Sequence, residues 1–222
     1  MDWQALAVSA KLAGVTALIL VPLGIVVGRW LAFNHFRGRA LVEALVALPL
    51  LLPPTVLGFY MLQGMSANSP IGQWVQALTG QGVAFTFQGL VIASIIANLP
   101  FAIQPLQRAF EGIGTDVRHA SWVGGLSPWQ TFLRIELPLA WPGLLTSIVL
   151  TLAHTMGEFG VVLMVGGSIP GETRTFAIAI YDRVQAFDMA SAGLMAATLL
   201  GISFVAIALV YGFGSRSVRV SG

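Results

Sequence analysis

Five apolar runs constrain this chain more than anything else in it. They fall at residues 8–31, 41–62, 89–110, 140–165 and 192–213. A helix of about 20 residues crosses the hydrocarbon of a bilayer, and each run is long enough. In hydrocarbon every backbone N–H and C=O must be satisfied within the spanning structure itself, which leaves helices and closed barrels. Continuous runs of this length predict helices. The rest of the composition agrees, with 56% hydrophobic and 9% charged residues. A soluble domain carries about 25% charged residues, so this chain has too little charge to clothe a globular surface. The expectation is an all-α integral membrane protein, one domain over 1–222, with five transmembrane helices. The first run is not expected to be a cleaved leader. Asp2 precedes it in place of a basic region, the apolar stretch is too long, and Arg29 closes it without a small-residue cleavage site.

Basic residues give the predicted orientation. Arg29, Arg37 and Arg39 follow the first run, while the segment from Gln63 to Gln88 has no Lys or Arg. Arg108, Arg118 and Arg134 lie between runs three and four, and Arg216 and Arg219 close the chain. Arg174 and Arg183, between runs four and five, are offset by Glu172, Asp182 and Asp188. Positive loops face the cytoplasm, so the N-terminus is expected outside and the C-terminus inside. The formal charge of +2 reflects arginines at membrane edges, and no nucleic-acid surface is expected. With no cysteine, disulfides, thiol catalysis and cysteine-ligated metals are excluded. The single lysine, Lys11, follows Ser-Ala and not a glycine-rich loop, so the chain has no P-loop for ATP.

Against this apolar background the island DVRHASWVGGLSPWQTFLRIELP, Asp116 to Pro138, stands out. Asp116 is expected to cap a short helix running to about Val123. Gly124-Gly125 ends it, because glycine takes the left-handed conformation without steric cost. Ser127, with Pro128 after it and Gln130 three residues on, predicts a second helix opened by a capping box. The charge bias puts this island, within loop 111–138, in the cytoplasm.

Glu158 is the acid that the hydropathy pattern places inside a span, with His154 four residues before it on the same helical face. A central acid costs about 2.5 to 3.5 kcal/mol on insertion scales, so it calls for a partner or a wet cavity. Three readings are open: a metal or acid–base site, a structural pair, or a place in a translocation path or gate. The first lacks further ligands and any HExxH pattern, so neither a metal site nor a cofactor is expected. In run two, Pro49, Pro53 and Pro54 crowd six residues and predict a broken helix facing protein; a simple packing kink is the other reading. Asn98, Pro100, Gln104 and Pro105 predict an inward face for run three. The uncharged segment from Gln63 to Gln88, with Trp74, Phe85 and Phe87, suits the outer interface, either as a lid or as a face for a docking protein. No internal repeat supports a secondary-transporter architecture.

Two groups of residues carry a family resemblance. Ala120, Gly125, Ile135, Leu137 and Pro138 match in register the cytoplasmic "EAA" loop of ABC-importer permeases, and His119-Ala120-Ser121 stand where that pattern has Glu-Ala-Ala. The segments GEFG at 157–160 and PGETRT at 170–175, LPLLLPPTVLGFYML at 48–62 and IYDRVQAFDMASAG at 180–193 resemble the oxyanion branch, molybdate permeases with tungstate and sulfate relatives. This resemblance implies a methionine-importer-like, ABC transmembrane type-1 permease fold in the inner membrane. It further implies a permease homodimer, two copies of a cytoplasmic ABC ATPase subunit, and an extracytoplasmic molybdate-binding protein. His119, Ala120, Ser121, Gly125, Ile135, Leu137 and Pro138 would form the ATPase-coupling loop. Candidate path or gate residues are Pro53, Pro54, Thr151, His154, Thr155 and Glu158. No catalytic residue is expected, since ATP would be hydrolysed by the partner. A membrane-embedded enzyme built on His154 and Glu158, and a passive channel, are the rival readings; neither needs a capped helix pair. Neither the additional N-terminal span of some relatives nor a soluble domain after Arg219 is expected.

Overall fold

The computed structural model describes residues 1–218, and helices are the only regular structure among them. Arg219 lies outside the described residues, as does the side chain of Arg216. Helix α1 (Trp3–Phe33) covers the first apolar run and is opened by Asp2, whose carboxylate accepts the Ala5 N–H at 2.9 Å. The second run forms two helices, α2 (Arg39–Leu51) and α3 (Pro54–Met65), with axes 108° apart. The expected break is therefore present, at Leu52-Pro53. Pro54 takes the first helical position of α3, where its missing N–H costs nothing. Between runs two and three lies a short helix, α4 (Pro70–Thr79).

The centre of the bundle is α5 (Phe87–Glu111), which packs against α1, α2, α3 and further helices downstream. Its contact with α1 is close because α1 carries Gly24 and Gly28, four residues apart. A Cβ at Gly24 would lie 2.8 Å from the Ala102 carbonyl oxygen, and one at Gly28 would lie 2.9 Å from the Gln107 nitrogen. Small residues at this spacing let two helix backbones meet, which is how helices associate where lipid supplies no hydrophobic drive. Of the residues expected on an inward face of run three, Asn98 and Pro100 are buried, and Gln104 and Pro105 are half-buried.

The polar island forms α6 (Thr115–Val123), α7 (Pro128–Thr131), a π-helical turn (Phe132–Glu136) and α8 (Leu137–Leu139). After a turn at Ala140 comes α9 (Trp141–Gly157), inclined by 69° to the segment before it. The fourth apolar run does not continue as one helix to 165. It stops at Gly157, and a separate helix α10 (Gly160–Gly166) follows. Glu158 therefore sits at a helix end and not within a helix. Glycines on both sides of Glu158-Phe159 weaken the helix there, which a hydropathy window running across them does not register. Helix α11 (Phe176–Gln185) and the long α12 (Met189–Val218) complete the described chain. Three helices are individually long and apolar enough to cross a membrane, and five spans result if each bent pair is one. Outward apolar side chains such as Leu18, Val26, Leu200 and Phe204 are more than half exposed, as a lipid-facing surface requires.

Candidate functional site

The helix pair of the polar island has its local chemistry complete. Gly114, not Asp116, is the N-cap of α6, and Asp116 lies in the first turn, where a negative charge still favours the helix dipole. At the other end the Gly125 N–H donates to Trp122 O at 3.0 Å and the Leu126 N–H donates to Ser121 O at 3.0 Å. This is the double bond set of a Schellman motif, with Gly125 at φ +84° supplying the left-handed residue. The capping box is formed in both directions: Ser127 Oγ accepts the Gln130 N–H, and Gln130 Oε1 accepts the Ser127 N–H. The π turn precedes Pro138, which has no N–H and would crowd the Arg134 carbonyl in a regular helix. Widening the turn, with the Leu137 N–H donating to Phe132 O, accommodates it.

Residues of the island divide into an outer and an inner set. His119 and Ala120 are exposed, as are Trp122 (42%), Val123 (90%) and Trp129 (66%). Ser121 is buried and joins the two helices, its hydroxyl 2.9 Å from that of buried Thr131. Gly125 and Pro138 are exposed, and Ile135 and Leu137 are half-buried. Leu137 packs on an apolar cluster of Leu106, Phe110, Ile113, Ala140 and Leu144.

Glu136, inside the Ile-x-Leu-Pro pattern, is not among the residues that sequence reasoning singles out, yet it is fully buried. Arg29 of α1 donates to it through Nε and, at 3.2 Å, through Nη2; Arg118 of α6 donates through Nε at 2.9 Å. The available signal is a lone acid leading into an apolar run between basic loops. The arginines that follow runs one and three thus gather at one end of the bundle. There Arg39 of α2 also pairs with Glu43 and with Glu111 of α5, while Gln107 donates to both carboxylates.

A second site lies at the two helix breaks, which face one another. A Cβ at Gly160 would lie 2.7 Å from Pro54 Cβ, and one at Gly58 would lie 2.8 Å from Met164 Cβ. Near them Glu158 is 7% exposed. His154 Nδ1 lies 3.5 Å from Glu158 Oε2 and 3.0 Å from Asn98 Oδ1, and the imidazole stacks on Phe101. His154, Glu158 and Pro54 line a small cavity of about 110 Å³ and a neighbouring groove of about 590 Å³. Pro53 sits at the bend as the N-cap of α3. Thr151 and Thr155 lie elsewhere: both are buried on another face of α9, with hydroxyls that have no hydrogen-bond partner, and neither lines this cavity or groove. Among the described residues no cluster of three His, Cys, Asp or Glu is placed to hold a metal.

Residues 21–219 match the family described as binding-protein-dependent transport system inner membrane component. The chain is 45% identical over 210 residues to the molybdenum transport system permease protein ModB of Azotobacter vinelandii, covering 95% of this chain and 93% of that one. It is 33% identical to the ModB protein of Escherichia coli K12, covering 94% and 90%. The sulfate transport system permease protein CysT of Escherichia coli K12 is 29% identical, covering 86% and 69%. Among solved structures the fold is similar to that of a bacterial alginate ABC transporter in complex with an alginate pentasaccharide-bound periplasmic protein. That match has a TM-score of 0.76 at 17% identity and covers 96% of this chain and 78% of that one. It is also similar to the MetNI methionine ABC transporter, with a TM-score of 0.62 at 20% identity, covering 99% and 93%. The two structural likenesses show the fold alone.

Proposed function

The chain belongs to the family of binding-protein-dependent transport system inner membrane components, and on that premise we propose that it is the permease subunit of an ATP-driven importer of molybdate. The observation that carries this reading is the capped helix pair of α6 and α7. It is locally rigid, it lies on the arginine-rich end of the bundle, and it exposes Trp122, Val123 and Trp129 while burying its polar joint. A patch of exposed aromatic and apolar side chains on a polar loop fits a protein partner. With no P-loop in the chain, that partner is an ATPase subunit, present as two copies on a permease homodimer. Residues 111–138 are its coupling loop, with His119, Ala120, Trp122 and Val123 in the cleft. The N-terminus is outside, the C-terminus is cytoplasmic, and an external binding protein delivers the anion.

Molybdate is favoured over sulfate because the molybdenum permeases are the more similar relatives and cover more of their own length. The helix breaks around Pro53, Pro54, His154 and Glu158 lie at the gate. Thr151 and Thr155 support the translocating helix from its packed side. A dianion meets no fixed cation there, because the breaks are lined by apolar side chains, the Thr55 hydroxyl, one imidazole and one carboxylate. Selection therefore rests with the binding protein, and the permease offers a low-affinity path. The test is reconstitution of the permease with its ATPase and binding protein, comparing ATP hydrolysis and uptake for molybdate, tungstate and sulfate. Molybdate should stimulate both most strongly. Stimulation by sulfate alone would reassign the cargo, and tight molybdate binding by the isolated permease would contradict the division of labour.

A further inference from the structure

We propose that Glu136 is a positioning residue that fastens the ATPase-facing helix α6 to α1, so that displacement of the loop reaches α1 as well as α9. This rests on the importer reading above. The chain itself joins the loop to α5, through residues 112–114, and to α9, through the π turn and α8. It does not join the loop to α1: Arg29 and Glu136 are 107 residues apart. Packing on α5 and α9 ties α1 to both ends of the loop, and Glu136, with the Arg118–Phe33 contact, adds a direct, charged tie between α1 and α6.

Three features fit a joint better than a simple fold contact. Glu136 is fully buried, yet both its oxygens are used, by two nitrogens of Arg29 and by Arg118. A two-pronged arginine–carboxylate contact is directional and resists rotation as well as separation. Arg118 is fixed a second time on α1, its guanidinium 3.8 Å from the Phe33 ring centre. Finally, α6 is bound to α7 through Ser121 and Thr131, and α1 is locked to α5 at Gly24 and Gly28. The joint thus connects two bodies that are each internally rigid. It also carries two cations on one acid, so neutralising Glu136 leaves Arg29 and Arg118 facing each other without a counter-charge and drives α6 away from α1.

The test uses proteoliposomes holding the permease with its ATPase and binding protein. Uptake and ATP hydrolysis are read on the same vesicles, and ATPase capture by the permease is read separately. Glu136→Gln keeps the size of the side chain. It should retain the ATPase and continue to hydrolyse ATP, while anion imported per ATP falls about tenfold, the scale of one charge-assisted hydrogen bond. Arg118→Gln leaves Arg29 and Glu136 as a neutral pair, so it folds even where Glu136→Gln does not, and it should lower the same ratio. Arg37→Gln removes an exposed arginine outside the cluster and should leave the ratio unchanged. A wild-type ratio in Arg118→Gln overturns the proposal. So does a loss of uptake matched by an equal loss of hydrolysis or of ATPase capture, which is the signature of a merely structural contact. If the wild-type assembly imports none of molybdate, tungstate or sulfate, the importer reading fails first, before any variant is compared, and this inference falls with it.

Discussion

Gly124 and Gly125 are neighbours with opposite requirements, and substituting each by alanine separates backbone strain from every other effect. Gly124 has φ −72°, an ordinary value, and an added Cβ would meet the Ala120 carbonyl oxygen at 3.4 Å, a normal contact. Gly125 has φ +84°, and a Cβ added there would have nothing within 4 Å, so alanine meets no clash and suffers only the left-handed backbone. That conformation costs an L-residue about 1–2 kcal/mol. Alanine at Gly124 instead removes freedom from the unfolded chain and is neutral or stabilising by about 0.5 kcal/mol. The strain at Gly125 falls on the turn that the Gly125 and Leu126 N–H groups close. A loss of about 1–2 kcal/mol shifts its opening equilibrium about 5–30-fold. Amide hydrogen exchange on the permease in nanodiscs reads this directly. Leu126 should exchange faster by that factor in Gly125→Ala and at the wild-type rate or slower in Gly124→Ala. In the reconstituted importer, Gly125→Ala should also lower uptake per ATP, since a loosened turn lets α6 tilt against α7. Equal exchange in the two variants would refute the Schellman argument, and wild-type uptake in a Gly125→Ala protein with accelerated exchange would refute the claim that a rigid loop is needed.

The α1–α5 contact offers a similar pair: Gly28→Leu places side-chain atoms against the Gln107 and Ile103 backbone and should lower thermal stability in detergent by about 1–3 kcal/mol, whereas Gly14→Ala, on the same helix with open space around it, should not. Val123→Asp puts a charge at the most exposed apolar position of the helix pair. It should abolish ATPase capture in pull-down while leaving membrane insertion and thermal stability unchanged, and capture at the wild-type level would move the docking surface elsewhere.

Local chemistry makes the island legible. Ser127, Pro128, Gln130 and Gly125 act on backbone groups within a few residues of themselves, so their roles follow from spacing. The cap expected at Asp116 lies two positions earlier, at Gly114, because glycine and aspartate both serve there. The break in run two is readable from its prolines, but not its angle, which is fixed by packing of α3 against α10. The break after Gly157 is hidden because hydropathy stays high across it. Glu136 could not be placed at all, since its partners are an arginine 107 residues away and another 18 residues away, and spacing carries no information about such pairs. Thr151 and Thr155, hydroxyls in an apolar helix, suggest a wet path from their residue type, while their burial within the protomer is set by the packing of α9.

The two breaks leave one carboxylate beside a route proposed for a dianion, and the sign of that charge makes the gate testable. At a separation of about 8 Å and an effective dielectric constant of about 20, a carboxylate repels a dianion by about 4 kcal/mol. His154, 3.5 Å from Glu158, offsets this only when protonated. A charge of this sign does not help to bind the anion; it helps to keep the closed path closed. Glu158→Gln should therefore raise the ATP-independent leak of molybdate from loaded proteoliposomes, and uptake per ATP should fall because of it. His154→Ala removes a bulky neighbour and no negative charge, so it should not raise the leak. The competing role is structural: Glu158 stands just before the N-terminus of α10, where a negative charge favours the helix dipole by about 0.3–1 kcal/mol, which glutamine would lose. An unchanged leak in Glu158→Gln, with a small loss of thermal stability, would leave the acid as a helix-terminus charge and move the gate away from the helix breaks.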